Sequence, residues 1–172
     1  TTGELTAIKT IKKGDATVTS MSFANTKKTD VKVSLEASKT YSINGVAQTL
    51  VGDEFSFTLT KSGEQKPTQT KKNDADGKVT FDAISFDTTG TYTYTVAESA
   101  GTDTSIDYDD TVYTVEITVA KDATTGELTA TKTIKKGDAT VDSMTFANTK
   151  KTDAKVKLAA SKTYSVNGVA QS

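Results

Sequence analysis

The first 49 residues of this chain are written twice. Residues 1–49 return as 124–172 with eight differences, a period of 123 residues. TTGELTA opens both copies, and KGDATV, SM, FANTKKTD and SKTYS follow in the same order. Such a period is too long for a solenoid unit and matches a whole domain, so the chain is expected to be a window cut from a tandem array. The window is out of phase with its repeat. KKTD at 27–30, and again at 150–153, is a short polar run between apolar patterns and is the expected joint. Residues 1–29 are then expected to be the C-terminal strands of a preceding repeat, 30–152 one complete module, and 153–172 the first strand of the next.

The differences between the copies report on burial. Thr19/Asp142, Ser34/Lys157 and Glu36/Ala159 change polarity freely, as a solvent face allows, whereas Ile43/Val166 stays apolar, as an inner face requires. Within the module an alternation of period two persists, and helical periodicity is nowhere convincing. Val31 to Lys39 alternates with its odd positions inward; Phe55, Phe57 and Leu59 mark a second strand. Val79 and Phe81, then Ile84 and Phe86, predict a third with a bulge or bend between them. Tyr92, Tyr94 and Val96 form a fourth, and Tyr113, Val115, Ile117 and Val119 a fifth; two more are expected at about 127–135 and 141–149. Glycines 45, 63, 77, 90, 101, 126 and 137 punctuate the gaps. Thr supplies 35 of the 172 residues, which suits a pleated, half-buried surface. The fold class predicted is all-β: an Ig-like Greek-key β-sandwich module with flanking strands from neighbouring repeats.

Three polar residues fall on the apolar side of this alternation. Lys39 continues the inward series Val33, Leu35, Ala37; Glu98 continues Tyr92, Tyr94, Val96; Asn148 continues Met144 and Phe146. Burying an amine or a carboxylate costs several kcal/mol unless it is paired or neutralised, at about that scale for each. Three such groups in one core make sense if they meet. A buried lysine tends toward the neutral, nucleophilic amine, and a buried glutamate toward the protonated form that can donate to a carbonyl. Alternation alone gives burial and no pairing. Read singly, each residue has an ordinary explanation: a lysine at a strand end snorkels its amine to water, a terminal glutamate is solvated, and Asn148 is a turn residue entering the joint.

Composition removes most other chemistry. The chain has no Cys and no His, so thiol nucleophiles, imidazole bases, Ser-His-Asp triads, ordinary zinc sites and disulfides are all excluded. Lysines scattered among acids, with a net charge of −1, offer no basic face for nucleic acid. No run of 18 apolar residues exists to span a membrane, on the usual scale of about 20. No leader is present either, and any secretion signal is expected outside this fragment. Asn73-Asp74-Ala75-Asp76-Gly77 invites comparison with a calcium loop, but an EF-hand phase with Gly77 as its invariant sixth residue would put Lys72 first and Ala83 last, so a turn is expected. Asp107, Asp109 and Asp110 read as a structural corner before a strand. No phosphate-binding loop follows any strand. Neither a cofactor nor a metal is expected.

The segments LEASKTYSING, DEFSFTL, NDADGKVTF, GTYTYTVAES, IDYDDTVYTVEITV, GELTATKTI and MTFANT cover essentially all of 33–149. In this order they resemble the isopeptide-linkage domain of Gram-positive pilins and surface adhesins, of the streptococcal major-pilin type. The resemblance implies that the first-strand lysine bonds to the last-strand asparagine, and that the glutamate after the Y-x-Y-x-V run promotes the reaction. Carried over, these are Lys39, Asn148 and Glu98. Attack of Lys39 Nζ on the Asn148 side-chain carbonyl would expel ammonia, with Glu98 shuttling protons and the fold supplying the effective molarity. In the truncated copies Asn25 matches Asn148 and Lys162 matches Lys39. Both lack their module's partners and are expected to stay unreacted.

The function expected is therefore a structural stalk repeat of a cell-surface adhesin or pilus-like fibre, self-crosslinked once and not a turnover enzyme. The bond would tie first strand to last, remove the main unzipping route under tension, and add proteolytic stability. The resemblance places it outside the cell, on a bacterial surface, anchored to the cell wall through regions beyond this fragment. Its partners would be neighbouring repeats of the same chain, with any host ligand held by other regions. The alternative is an adhesive module binding a host protein or glycan. A polymerised pilin backbone would need a sorting signal and a pilin-motif lysine, and neither lies in this window.

Overall fold

The computed structural model describes residues 7–23, 29–152, 157–162, 164–167 and 169–171. Strands follow one another along the chain as β1 (Ile11–Lys13), β2 (Ala16–Val18), β3 (Val31–Val33), β4 (Glu36–Ile43), β5 (Val46–Ala47) and β6 (Ser56–Lys61). Then come β7 (Gln69–Lys72), β8 (Lys78–Thr80), β9 (Ile84–Phe86), β10 (Gly90–Ser99), β11 (Ile106–Asp107) and β12 (Val112–Lys121). The last are β13 (Leu128–Lys136), β14 (Ala139–Val141), β15 (Met144–Lys150), β16 (Tyr164–Val166) and β17 (Val169–Gln171). No helix among the described residues is long and apolar enough to cross a membrane.

Two sheets pack face to face. One is antiparallel throughout, in the order β14-β13-β12-β10-β6-β7. The other is built on β4, which pairs in parallel with β15 along one edge and with β8 and β5 along the other. β11 extends this sheet beyond β15, and β3 pairs separately with β9. The period-two pattern explains the layering, because every second side chain of β4, β6, β10, β12 and β15 points into the gap between the sheets. Phe57 from one sheet meets Phe146 from the other at 5.1 Å, and Tyr113 meets the same ring edge-on at 5.2 Å. The Tyr113 hydroxyl donates to the Thr145 carbonyl at 2.8 Å, which lets a phenol sit in the core without an unpaired group. Each fully buried Phe, Leu or Val in this gap contributes about 1.5–3 kcal/mol.

The all-β sandwich agrees with the sequence reading, but several strands are drawn differently. The strand expected over 31–39 breaks at Ser34-Leu35. Its first part pairs with β9 and its second with β15 and β8, so Lys39 lies on β4 and not on the first strand. The bend expected between Phe81 and Ile84 is a full separation, since β8 joins β4 while β9 joins β3. The seventh strand, expected at about 141–149, is two pieces, β14 and β15, in different sheets. β5 and β11, of two residues each, are too short to show as alternation, and β7 (QTKK) has no apolar residue to mark it. Where copies differ in polarity the positions are exposed, as expected; Ile43 is half-buried, whereas its counterpart Val166 is 44% exposed.

Candidate functional site

The parallel register of β4 and β15 places Phe146 beside Lys39 and Asn148 beside Tyr41. Lys39 and Asn148 therefore stand two positions apart on neighbouring strands, on the same inward face. Glu98 comes from β10 in the opposing sheet, where it pairs across from Phe57. Lys39 is 2% exposed and Asn148 1%, and the side chains of Lys39 and Glu98 are both fully inaccessible.

One carboxylate joins the other two groups. Lys39 Nζ donates to Glu98 Oε2 at 2.6 Å, and Asn148 Nδ2 donates to Glu98 Oε1 at 2.6 Å. The amine also lies 4.8 Å from the centre of the Phe55 ring and 5.9 Å from that of Phe57. Removal from water pulls the Lys39 pKa below its ordinary value, although the hydrogen bond and charge of Glu98, and the charge of Asp109, push the other way. An amine so placed is closer to its nucleophilic form than a solvated lysine.

A loop residue completes the enclosure. The Asp109 backbone N–H donates to Asn148 Oδ1 at 2.8 Å. Its carboxylate accepts the Ala147 N–H at 2.7 Å and the Thr111 N–H at 2.9 Å. Burial pushes the Asp109 carboxyl up, yet the hydrogen bonds from Thr111 and Ala147, with the charge of Lys39, hold it below its usual range. Among the described residues no buried side-chain polar atom lacks a partner.

The three residues singled out from the sequence thus meet. Asn25 lies outside the described residues, and Lys162 is exposed. Asp109 fits the corner expected for its segment, but its contact with Asn148 has no sequence signal, because a main-chain N–H belongs to every residue type except proline. Asn73 was also hidden within its turn reading: it is 2% exposed, accepts the Phe55 N–H at 2.8 Å and donates to the Asp74 carbonyl at 2.9 Å. The neighbouring acids make a turn, with Asp74 Oδ1 accepting the N–H groups of Asp76 and Lys78. Among the described residues no cluster of three metal-ligating side chains occurs.

A variant of the major pilin from Streptococcus pyogenes has a similar fold, with a TM-score of 0.50 and 17% identity over 68% of this chain and 50% of the pilin. The T-13 major pilin of the same organism aligns at 0.48 and 21% identity, over 72% of this chain and 54% of its own. The chain thus spans about half the length of the pilins it matches. A comparison with curated proteins gives no match. Residues 32–151, which contain Lys39, Glu98, Asp109 and Asn148, match the family model described as a Spy0128-like isopeptide-containing domain. This chain therefore belongs to that family, FctA.

Proposed function

We propose that the module is a structural repeat of a bacterial surface fibre or adhesin stalk, locked by an intramolecular isopeptide bond between Lys39 and Asn148. The observation that carries this reading is the dry Glu98 carboxylate holding the amine and the amide at 2.6 Å each. Lys39 passes a proton to Glu98 and its free pair attacks Asn148 Cγ. The Nζ–Cγ bond forms, Glu98 protonates Nδ2, and the Cγ–Nδ2 bond breaks to release ammonia. The remaining extra proton on Nζ returns to the carboxylate, so each chain reacts once and nothing is left to turn over. The family membership and the pilin-like fold support a fibre role, with neighbouring repeats as partners. The proposed setting is extracellular, on the bacterial surface, with cell-wall attachment through regions beyond residues 1–172. The boundaries proposed for the complete module are residues 30–152, consistent with a family match over 32–151.

Intact mass under denaturing conditions tests the reading. The full chain should weigh about 17 Da less than its sequence, the loss of one ammonia. Glu98→Ala should restore the sequence mass, and a peptide map of the wild type should join Lys39 to Asn148. An unmodified wild-type mass would sink the crosslink. Two losses would mean that Lys162 or Asn25 reacts as well.

A further inference from the structure

Resting on the crosslinking reading above, the geometry points to a second reactive group: the backbone N–H of Asp109 is the oxyanion donor for attack on Asn148. As the amine adds to Cγ, the carbonyl electron pair moves onto Oδ1 and negative charge develops there. Preorganised N–H groups aimed at such an oxygen, in a site free of water, are among the strongest sources of rate acceleration. The Asp109 N–H already lies 2.8 Å from Oδ1.

The same contact decides which way round the amide sits. A main-chain N–H can only donate, so it must face the oxygen of Asn148 and not the NH₂. The NH₂ group is thereby turned to Glu98, where it is found at 2.6 Å. Turned over in the resting ion pair, before Glu98 takes the proton, Asn148 would present its NH₂ to another N–H and its oxygen to a carboxylate, two repulsive contacts in a dry core. One hydrogen bond thus polarises the carbonyl and also delivers the leaving group to the acid that must protonate it. The division of labour differs from the sequence expectation, in which Glu98 donated to the carbonyl. Here Glu98 serves the two nitrogens, and the main chain serves the oxygen.

The Asp109 side chain is a positioning group for its own N–H. One carboxylate oxygen holds the Thr111 N–H at 2.9 Å and the other the Ala147 N–H at 2.7 Å. The loop is therefore pinned to its own following turn and to β15 at the residue before Asn148. Donor and target oxygen are fixed to the same short piece of strand. When the reaction ends, the carbonyl is re-formed within the isopeptide and keeps the same N–H.

The test uses the full chain made and kept unfolded in urea, then diluted into buffer while its mass is followed. Replacing the Tyr108–Asp109 peptide bond by an ester, with the hydroxy-acid analogue of aspartate at 109, removes the N–H and leaves the side chain. Ammonia loss should slow by on the order of 10²–10³-fold, the usual effect of deleting one oxyanion donor. Asp109→Ala keeps the N–H but unpins it and should also be slow. Asp109→Asn, which preserves one of the two acceptors, should fall between it and wild type. An ester chain that folds and reacts at the wild-type rate would overturn the oxyanion role while leaving the crosslink intact. A wild-type chain that folds without losing ammonia overturns both. If the ester chain does not fold, amide exchange in the unreacted Glu98→Ala chain decides. Protection at Asp109 that is lost on adding Asn148→Leu supports the proposal, and exchange at the free-peptide rate refutes it.

Discussion

At the scale of single residues, the site is an ion pair that folding alone would not select. Lys39 and Glu98 are taken wholly out of water, and their attraction is offset by the loss of two hydration shells. A buried pair of this kind contributes little net stability, yet removing one member leaves a bare charge in the core. In an Asn148→Ala background, which has no amide to attack, adding Glu98→Ala should lower unfolding stability by about 3–5 kcal/mol. Adding Lys39→Met as well should recover most of that loss, as urea titration of the three chains would read. If the methionine restores nothing, the amine finds water in solution and the dry site is wrong. The pair makes sense as chemistry held in readiness, with stability supplied by Phe57, Phe146 and their neighbours.

At the scale of elements, the turn before β8 acts as a template for β4. The Gly77 carbonyl accepts the Lys39 N–H at 2.7 Å, and a Cβ on Gly77 would lie 2.2 Å from the Lys39 carbonyl oxygen and 3.0 Å from Leu50 Cδ1. Its φ of +78° adds the usual penalty of a side chain in the left-handed region. Gly77→Ala should therefore cost at least about 2 kcal/mol and slow ammonia loss, because it moves the backbone that carries the amine. Gly45 is the control, with a φ of +81° and nothing within 4 Å of an added Cβ. Gly45→Ala should cost only the left-handed penalty, about 1 kcal/mol. Equal losses at the two sites, by thermal melts, would remove the steric argument.

The repeated sequence shows why some elements were legible and others were not. β1 and β2 pair in the register Ile11↔Val18, and β13 and β14 pair as Ile134↔Val141, the same pairing one repeat later. β16 and β17 likewise copy the pairing of β4 with β5, Val166↔Val169 for Ile43↔Val46. These hairpins carry their instructions in adjacent residues. The longer strands do not. Met21 and Phe23 are 67% and 89% exposed, while their counterparts Met144 and Phe146 are each 1% exposed within β15. Leu158 is 93% exposed against 0% for Leu35. Identical residues are core or surface according to whether the middle of a module lies between them. Alternation could thus mark Lys39, Glu98 and Asn148 as inward, but the break at Ser34-Leu35, the split of β8 from β9 and the donor at Asp109 depend on distant partners.

At the scale of the molecule, a bond from Lys39 to Asn148 would close a loop around the 108 residues between them. Closing a loop of this length restricts the unfolded chain by about 4–5 kcal/mol on the polymer estimate. It would also hide that length from tension. Pulled within its array, a Glu98→Ala module should release roughly 350–390 Å of chain on unfolding, the extended length of those residues. The wild-type module should show no such step in single-molecule force measurements, and a full-length step would mean that no bond had formed. Residues 31–38 precede the tie and would still give way, beginning with the short pairing of β3 with β9.

The direction of β15 relative to β4 bears on what the bond is for. The two strands run the same way, in seven register pairs from Ala37↔Met144 to Ile43↔Lys150. The chain enters at the start of one strand and leaves from the end of the other. A pull on the two termini therefore drags them past each other in shear, loading all the pairs together, and does not peel them apart in sequence. Even without a covalent tie, this patch is well disposed against a brief tug. Its weakness is time: hydrogen bonds under steady load reopen by thermal chance, and a patch that slips once has lost its register. An amide bond does not creep. The crosslink would turn a grip with a lifetime into one without.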